Sequence, residues 1–589
     1  MDPTTLARSE RKRMGAHYTP PALARLLADK IIEYMGPPVA GRVRVLDPAC
    51  GDGKLLQAAM EALRRRGVEG SRVVGVEADA SALAEARKTL TGHGDDVVEL
   101  IAGDFLHLAV GFQPQRDLWP DPAPEGGLHG DFDVVIANPP YVRTQVLGAA
   151  RAQQLARQFE LSGRIDLSHV FIQAMTLALR AGGILGIITS NRFMSTLAGK
   201  AIRAFVSTNI ELLELIDLGD TKLFEAAVLP AVLLGRRRDH RPSSSRCVVP
   251  FARVYSQLRT APDKVSLMPR SGTVVEALAA GDEGIIRVSD GTYDITRGFL
   301  SITPGSDDVW ALLSPRESDL VARLQEKSCG TIGDVAHVRV GIKTTADDVF
   351  IRKDWASLPT EKRPESELLR PLLSHEDACR WAMQRQHRPL GQVLYPHFVS
   401  GGAKRVADLK CYPRTLAYLE DFRSRLEARR YVVEAGRKWY EVWVPQDPGA
   451  WQSPKLVFPD ISPEPRFFLV EEDYVVNGNC YWLMLRPEAS EDLLYLILAV
   501  ANSTLMTRFH DAAFGNKLYA GRRRYITQYV AKYPLPDDHT KVARHIVLLA
   551  RKVVTLARTG NTEQAGQIEQ AIDALVHEAY GFDLNGEPQ

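Results

Sequence analysis

From Arg42 to about residue 240 the chain alternates short apolar runs with helical patterns, and nothing else in it constrains the fold as strongly. "RVRVLDPA", "RVVGVEAD", "VELIAGDF", "FDVVIANPP", "GILGIITS", "LELIDLG" and "AVLLGRRR" read as strands, and "FDVVIA" has the continuous apolar, β-branched character of a buried one. "LLQAAMEALRRRG", "SALAEARKTL" and "LSHVFIQAMTLALRAGG" carry helical patterns between them. Such alternation predicts an α/β fold with a doubly wound, mostly parallel sheet over 1–240. The Pro- and Gly-rich stretch from His107 to Gly130 reads as a surface loop.

Beyond 240 the texture changes. "HRPSSSRC" reads as a linker, and 241–330 as a connecting region. Residues 331–540 mix aromatic-rich strands ("KLVFPDI", "RFFLVEEDY", "NCYWLML") with helical pieces, which predicts a second, mixed α/β domain. "HTKVARHIVLLARKVVTLARTG" then leads a helical tail over 541–589. A chain of 589 residues is too long for one core, so several domains are expected in any case.

Composition excludes several classes. The chain is 45% hydrophobic and 25% charged, has no uninterrupted apolar run of bilayer length, and starts with a basic stretch lacking the apolar segment of a secretory signal. Its six cysteines form no C-x-x-C pair, which argues against a zinc site or a disulfide framework and suits a reducing cytoplasm. No metal ligand set is expected. Net charge is +1, so the total says nothing about nucleic acid.

"VLDPACGDGKLLQAAM" places a strand, an acid, a glycine turn and a helix in sequence. Gly51 and Gly53 let the backbone approach a ligand at the strand end. The second strand ends at Glu77, where an acid can bind ribose hydroxyls. The third ends at Asp104, followed by Phe105, whose ring can lie on a purine face. Asp79 and Ser81 read as helix-cap candidates instead.

The fourth strand stops at "ANPPYVRTQ". Pro139 and Pro140 cannot donate to a β ladder, so they end the strand and leave Asn138 and Tyr141 at its carboxyl end. This arrangement resembles that of enzymes that methylate an exocyclic amino group. Such a nitrogen is a poor nucleophile because its lone pair is delocalised. Two acceptors for its N–H hydrogens let it pyramidalise; the Asn138 amide oxygen and the Pro139 carbonyl supply them. The Tyr141 ring can stack on the base.

These stretches resemble the S-adenosylmethionine-binding motifs of class I methyltransferases. "DPACGDG" is similar to the form typical of DNA adenine methyltransferases, "GAHYTPPALARLLADKI" to the amino-terminal motif of gamma-class enzymes of the TaqI-like family, and "NPPY" to the N/D-P-P-Y/F/W signature. The resemblance implies that Tyr18, Thr19 and Pro20 hold the methionine part of the cofactor. Asp47, with Pro48, Ala49 and the Gly51–Gly53 turn, would lie under the sulfonium end. Glu77 would take the ribose, and Asp104 the adenine amino group beside Phe105. "LGDTKLFEAAVLPAVLLG" resembles the segment that gives a flipped base its second aromatic, which makes Phe224 the candidate.

"NPPY" is shared with release-factor glutamine methyltransferases and some guanine-directed ribosomal RNA methyltransferases. The roughly 350 residues beyond the catalytic region point instead to substrate selection. Residues 403–438 hold ten Lys/Arg against five acids, and 502–532 hold six against one, near Tyr and Trp, which suits contact with DNA phosphates. The candidates are Lys343, Lys404, Arg405, Arg437, Lys438, Lys517, Arg522, Arg523 and Arg524. "VRVGIKTTADDVFI", "KLVFPDISPEPRFFL" and "NGNCYWLML" resemble the TaqI-like specificity domain, and the motif order is the gamma arrangement. The expected activity is adenine-N6 methylation of a flipped base in double-stranded DNA by a cytoplasmic monomer. A separately encoded restriction endonuclease is its implied companion, with no cleavage activity expected in this chain. Cytosine-N4 methylation and a mainly DNA-binding role in a defence complex are the alternatives.

Overall fold

The computed structural model describes residues 18–36, 42–68, 70–92, 95–108, 128, 130–141, 149–159, 166–224, 229–240, 246–256, 268–383, 390–515, 518 and 521–583. The chain forms two compact units, Met1–Pro315 with Lys517–Gly521, and Arg316–Asn516 with Arg522–Gln589. Most of the proposed 107–130 loop, the core of the "HRPSSSRC" linker and Lys517 lie outside the described residues.

The first unit is built on one sheet. Its strands β1 (Arg44–Asp47), β2 (Arg72–Glu77), β3 (Val97–Ala102), β4 (Phe132–Ala137), β5 (Leu179–Ser190), β6 (Ile210–Asp217) and β7 (Pro230–Arg237) fall on the seven apolar runs. Four more follow: β8 (Cys247–Ser256), β9 (Met268–Pro269), β10 (Gly284–Val288) and β11 (Gly291–Ile302). The order is β3-β2-β1-β4-β5-β7-β6-β8-β11-β10-β9. β1 to β5 run parallel, and β7 is antiparallel to both its neighbours. The chain steps outward from β1 to β3, then returns to the other side of β1 as β4. That reversal leaves a crevice at the carboxyl ends of β1 and β4, where open α/β sheets bind ligands.

Side-chain alternation explains the unbroken apolar runs. Val45, Val134 and Ile136 pack with helices Pro21–Tyr34 and Lys54–Arg65, while Leu46, Val135 and Ala137 pack with helix Leu167–Ala178 on the other face. Both faces are buried, so both phases of the period-two pattern are apolar. At Gly75 a Cβ would lie 2.8 Å from Leu100 and 2.9 Å from the Cys50 sulfur, so the turn after β1 packs on β2 only because that position is bare.

Three sequence expectations change. The helix read through "LALRAGG" ends at Ala178, because Leu179 pairs with Phe132 and starts β5. The connecting region 241–330 contributes four strands to the same sheet: β8 pairs parallel with β6 and antiparallel with β11 along ten residues, so β6 is no edge strand. The helical tail is core. Helices Lys541–Thr559 and Thr562–Ala579 bring Ala543, Ile546, Val553, Ile572 and Val576 into one cluster with Leu456, Leu483 and Ile497.

In the second unit a five-stranded sheet runs in the order Ala336–Val340, Cys480–Leu485, Lys455–Pro459, Phe468–Val470, Trp381–Ala382. A four-stranded sheet contains Ile351–Arg352, Gly391–Leu394, Leu369–Leu373 and Val475–Val476. Among the described residues no helix is long and apolar enough to cross a membrane.

Candidate active site

Asp47 closes β1 and is fully buried. One carboxylate oxygen accepts the Ala49 N–H at 3.0 Å; the other has no hydrogen-bond partner among the described residues. Burial above all, with the charges of Glu77 and Asp52, pushes this carboxyl up to about 8 against the opposing pull of the Ala49 N–H. The turn that follows is tied to β2. The Cys50 N–H donates to the Val76 carbonyl at 2.9 Å, and the Gly51 N–H to Glu77 Oε2 at 2.9 Å. Glu77 Oε1 accepts the Asp79 N–H at 2.8 Å, and Asp79 in turn caps helix Ala80–Thr89, as its sequence position suggests.

Gly53 sits at φ +81°, where a Cβ would also lie 3.2 Å from the Ala86 Cα, so two conditions favour glycine before helix Lys54–Arg65. The half-exposed Tyr18 reaches the same turn: a Cβ on Gly51 would touch its ring at 3.6 Å, and Lys54 Nζ lies 5.6 Å from the ring centroid. Pro20 precedes helix Pro21–Tyr34, and Pro48 is buried beside Asp47. Asp104 lies exposed at the end of β3, its Oδ1 accepting the Leu106 N–H at 3.0 Å. Phe105 differs from the sequence expectation. Its ring is 1% exposed and packs 5.9 Å from Phe171 in the core, so it offers no open face to a purine.

At the end of β4, Asn138 is fixed at both ends of its amide. Its Nδ2 donates to Thr19 Oγ at 3.1 Å, and its Oδ1 accepts from the Tyr141 hydroxyl at 2.7 Å. Pro139 is buried and Pro140 half-buried. Burial, then the charge of Asp166, pushes the Tyr141 phenol far up, so it stays a donor. An amide oxygen has two lone pairs, so accepting from Tyr141 does not by itself exclude a second donor. The link from Thr19 to Asn138 joins the segment before the first described helix to the end of β4, and no local signal announces it.

Phe224, following β6, is 8% exposed and packs with Leu218, Val232 and Val254. Sequence reading missed what anchors its segment. Asp217, buried at the end of β6, accepts from Asn191 Nδ2, the Gly219 N–H and the Tyr255 hydroxyl, each at 3.0 Å. Burial raises its carboxyl while these donors pull the other way. Tyr255 comes from β8, within the region read as a connector.

The basic candidates divide. Arg523 is held bidentately by Asp511 at 2.6 and 2.8 Å, and Arg524 by Asp460 at 3.0 and 2.6 Å, so the "GRRRY" cluster is chiefly an internal ion-pair set; only Arg522 of the three is exposed. In 403–438, Arg414 pairs with Glu365, Arg423 with Glu420 and Glu427, Arg425 with Asp348, and Arg429 is buried against backbone carbonyls. Arg437 lies over the Trp443 ring at 5.1 Å, and Lys438 is 5.6 Å from that of Tyr440. Lys343, Lys404 and Arg405 are exposed. Arg523→Ala is expected to cost on the order of 2–3 kcal/mol of stability, because it strands a largely buried Asp511. Denaturant melts should show that loss, with the salt dependence of DNA binding unchanged.

An acid closing β1, a glycine turn into a helix, an acid closing β2 and an amide closing β4, on a 3-2-1-4-5-7-6 core with β7 reversed, define a class I methyltransferase domain. A family model described as Eco57I restriction-modification methylase matches residues 95–224. The type II methyltransferase M.BanIII of Aneurinibacillus aneurinilyticus is 39% identical over 582 residues, spanning 98% of each chain. M.BstVI of Geobacillus stearothermophilus is 26% identical, over 89% of this chain and 90% of that one. The solved structure of the ATP-dependent type ISP restriction-modification enzyme LlaBIII bound to DNA shares the fold, with a TM-score of 0.51 at 10% identity over 92% of this chain and 39% of that one. The chain belongs to the type II DNA methyltransferases of restriction–modification systems.

Proposed function

We propose that this enzyme methylates N6 of adenine in duplex DNA, on a base flipped into the crevice between β1 and β4, in the gamma-class arrangement of the TaqI-like family. The observation that carries the reading is Asn138: its amide stands at the switch point, braced by Thr19 and Tyr141. S-adenosylmethionine, when bound, supplies the methyl group on a sulfonium. The donor set suits that molecule. Asp47 offers a buried carboxylate oxygen lacking a partner, which a cationic group would stabilise, and Glu77 and Asp104 stand at the next two strand ends.

In this reading Asn138 Oδ1 and the Pro139 carbonyl accept the two N6 hydrogens. So held, the nitrogen would present its lone pair to the methyl group that the cofactor would supply, whose carbon–sulfur bond would break to leave a neutral thioether, and the extra proton would pass to water. The Tyr141 ring stacks on the base, and Phe224 must leave its packing with Leu218, Val232 and Val254 to act as the second aromatic. Stacking of about 1–3 kcal/mol per base offsets much of the few kcal/mol that flipping costs. A separately encoded endonuclease is the natural companion of a monomeric modification enzyme of this kind.

Purified protein incubated with unmethylated duplex DNA and methyl-labelled cofactor should yield N6-methyldeoxyadenosine on digestion to nucleosides. Label recovered as N4-methylcytosine, or only in protein, would overturn the adenine assignment.

A further inference from the structure

Residues His397–Ser400 and Ala403–Val406 form a separate two-stranded ribbon, with Phe398 opposite Arg405 and Val399 opposite Lys404. Its tip is Gly401–Gly402, at φ +58° and +75°, the two-residue turn that matches strand twist. A Cβ on either glycine would meet nothing within 4 Å, so the tip stands in the open.

The root is fixed. The Ala407 N–H donates to the Pro396 carbonyl at 2.9 Å, and the Tyr440 hydroxyl to the Ala407 carbonyl at 2.7 Å. His397 is buried, and its Nε2 accepts the Val442 N–H at 3.2 Å. Burial, then the charge of Arg437, holds that imidazole down to about 4, so it stays a neutral acceptor at working pH.

The two faces differ. His397, Val399, Lys404 and Val406 share one face by alternation. It touches neighbouring residues without being covered: a Cβ on Gly449 would lie 3.4 Å from Val399, which is 44% exposed, and the exposed Lys404 pairs with Asp447 at 3.4 Å. Phe398, Ser400, Ala403 and Arg405 share the other. All four are exposed, Phe398 by 40%, and Arg405 has no ion pair or side-chain hydrogen bond among the described residues. A phenylalanine beside an arginine with no ion pair among the described residues, on a ribbon that turns on bare glycines, suits a partner with both apolar and acceptor groups.

The major groove is about 12 Å wide and 8.5 Å deep and admits a two-stranded ribbon. We propose that the outward face of this ribbon reads base edges in the major groove of the target duplex, Arg405 as a guanine reader and Phe398 as the apolar contact to a thymine methyl. The inference rests on duplex DNA being the substrate, and not on which base is methylated.

Sequencing of DNA from a host expressing the full chain defines the cognate motif. Rates are then measured for wild type, Phe398→Ala, Arg405→Ala and Lys404→Ala on the cognate duplex and on duplexes changed at one position. The first two variants should lose about 5- to 150-fold in kcat/KM on the cognate site and narrow discrimination at one position each. Lys404→Ala, from the other face, should weaken all duplexes alike. Thermal melts and cofactor affinity should match wild type in all three. Unchanged discrimination in both Phe398→Ala and Arg405→Ala would overturn the proposal. So would equal losses on every sequence, or an altered oligomeric state, which would mark the face as a contact between copies. Absence of wild-type turnover on any duplex would instead overturn the substrate reading beneath it.

Discussion

Asn138→Ala should lower kcat by at least about a hundredfold while leaving cofactor and DNA affinity within about twofold of wild type. In the proposed reaction the asparagine oxygen binds the amino group more strongly as charge develops on it, so its loss would fall on the transition state more than on binding. Removing a single fixed partner for developing charge typically costs about 10²–10³ in rate. Thr19 and Tyr141 each lose a hydrogen bond to the amide, a cost that falls on the free and the ligand-bound enzyme alike. Single-turnover rates with saturating cofactor, beside filter binding of the same variant, separate the two effects. A near-wild-type kcat would remove Asn138 from the chemistry. A collapse of DNA binding with kcat retained would make it a docking residue.

The second large effect belongs to Asp47. Its carboxyl is pushed up to about 8, first by burial and then by Glu77 and Asp52. Such a group holds its proton more tightly folded than unfolded. Its contribution to folding stability is therefore greatest below the ordinary carboxylate range and declines as pH rises toward 8. A cationic ligand reverses the preference, because it favours the ionised form. Cofactor binding should then release a proton, and affinity should rise about tenfold per pH unit until it levels near pH 8. Calorimetry at pH 6 to 9, in buffers of different ionisation enthalpy, reads both affinity and proton release. Asp47→Asn should flatten the profile and weaken binding at pH 8.5 by about ten- to a hundredfold, the scale of a hydrogen bond to a charged group. A wild-type profile that is already flat would show that Asp47 does not titrate with the cofactor.

The catalytic half of the molecule was legible because its information is local. Each of the first seven strands is an apolar run that needs only its own residues to be seen, and the glycines and prolines that end β1 and β4 act through their own backbone. Phe105 misled for a related reason. A phenylalanine after a strand-end acid looks the same whether its ring turns toward a ligand or, as here, onto Phe171. The sheet extension β8–β11 was obscured by Ser- and Pro-rich flanks that resemble a linker, and its pairing with β6 is a long-range choice.

Charge was the least legible property. A run such as "GRRRY" carries the same residues whether they meet phosphates or internal acids, and the partners Asp511 and Asp460 lie 12 and 64 positions away. By itself the sequence determined the strand order's raw material, the glycine turn, the acids at three strand ends and the amide at the fourth, since each is set by local periodicity and backbone stereochemistry. Only the tertiary structure decided which cations are left for a partner, which aromatics are core, and that Thr19 grips Asn138 across 119 positions. Those outcomes depend on distances between residues remote in sequence, and burial and ion pairing are properties of such distances rather than of the residues alone.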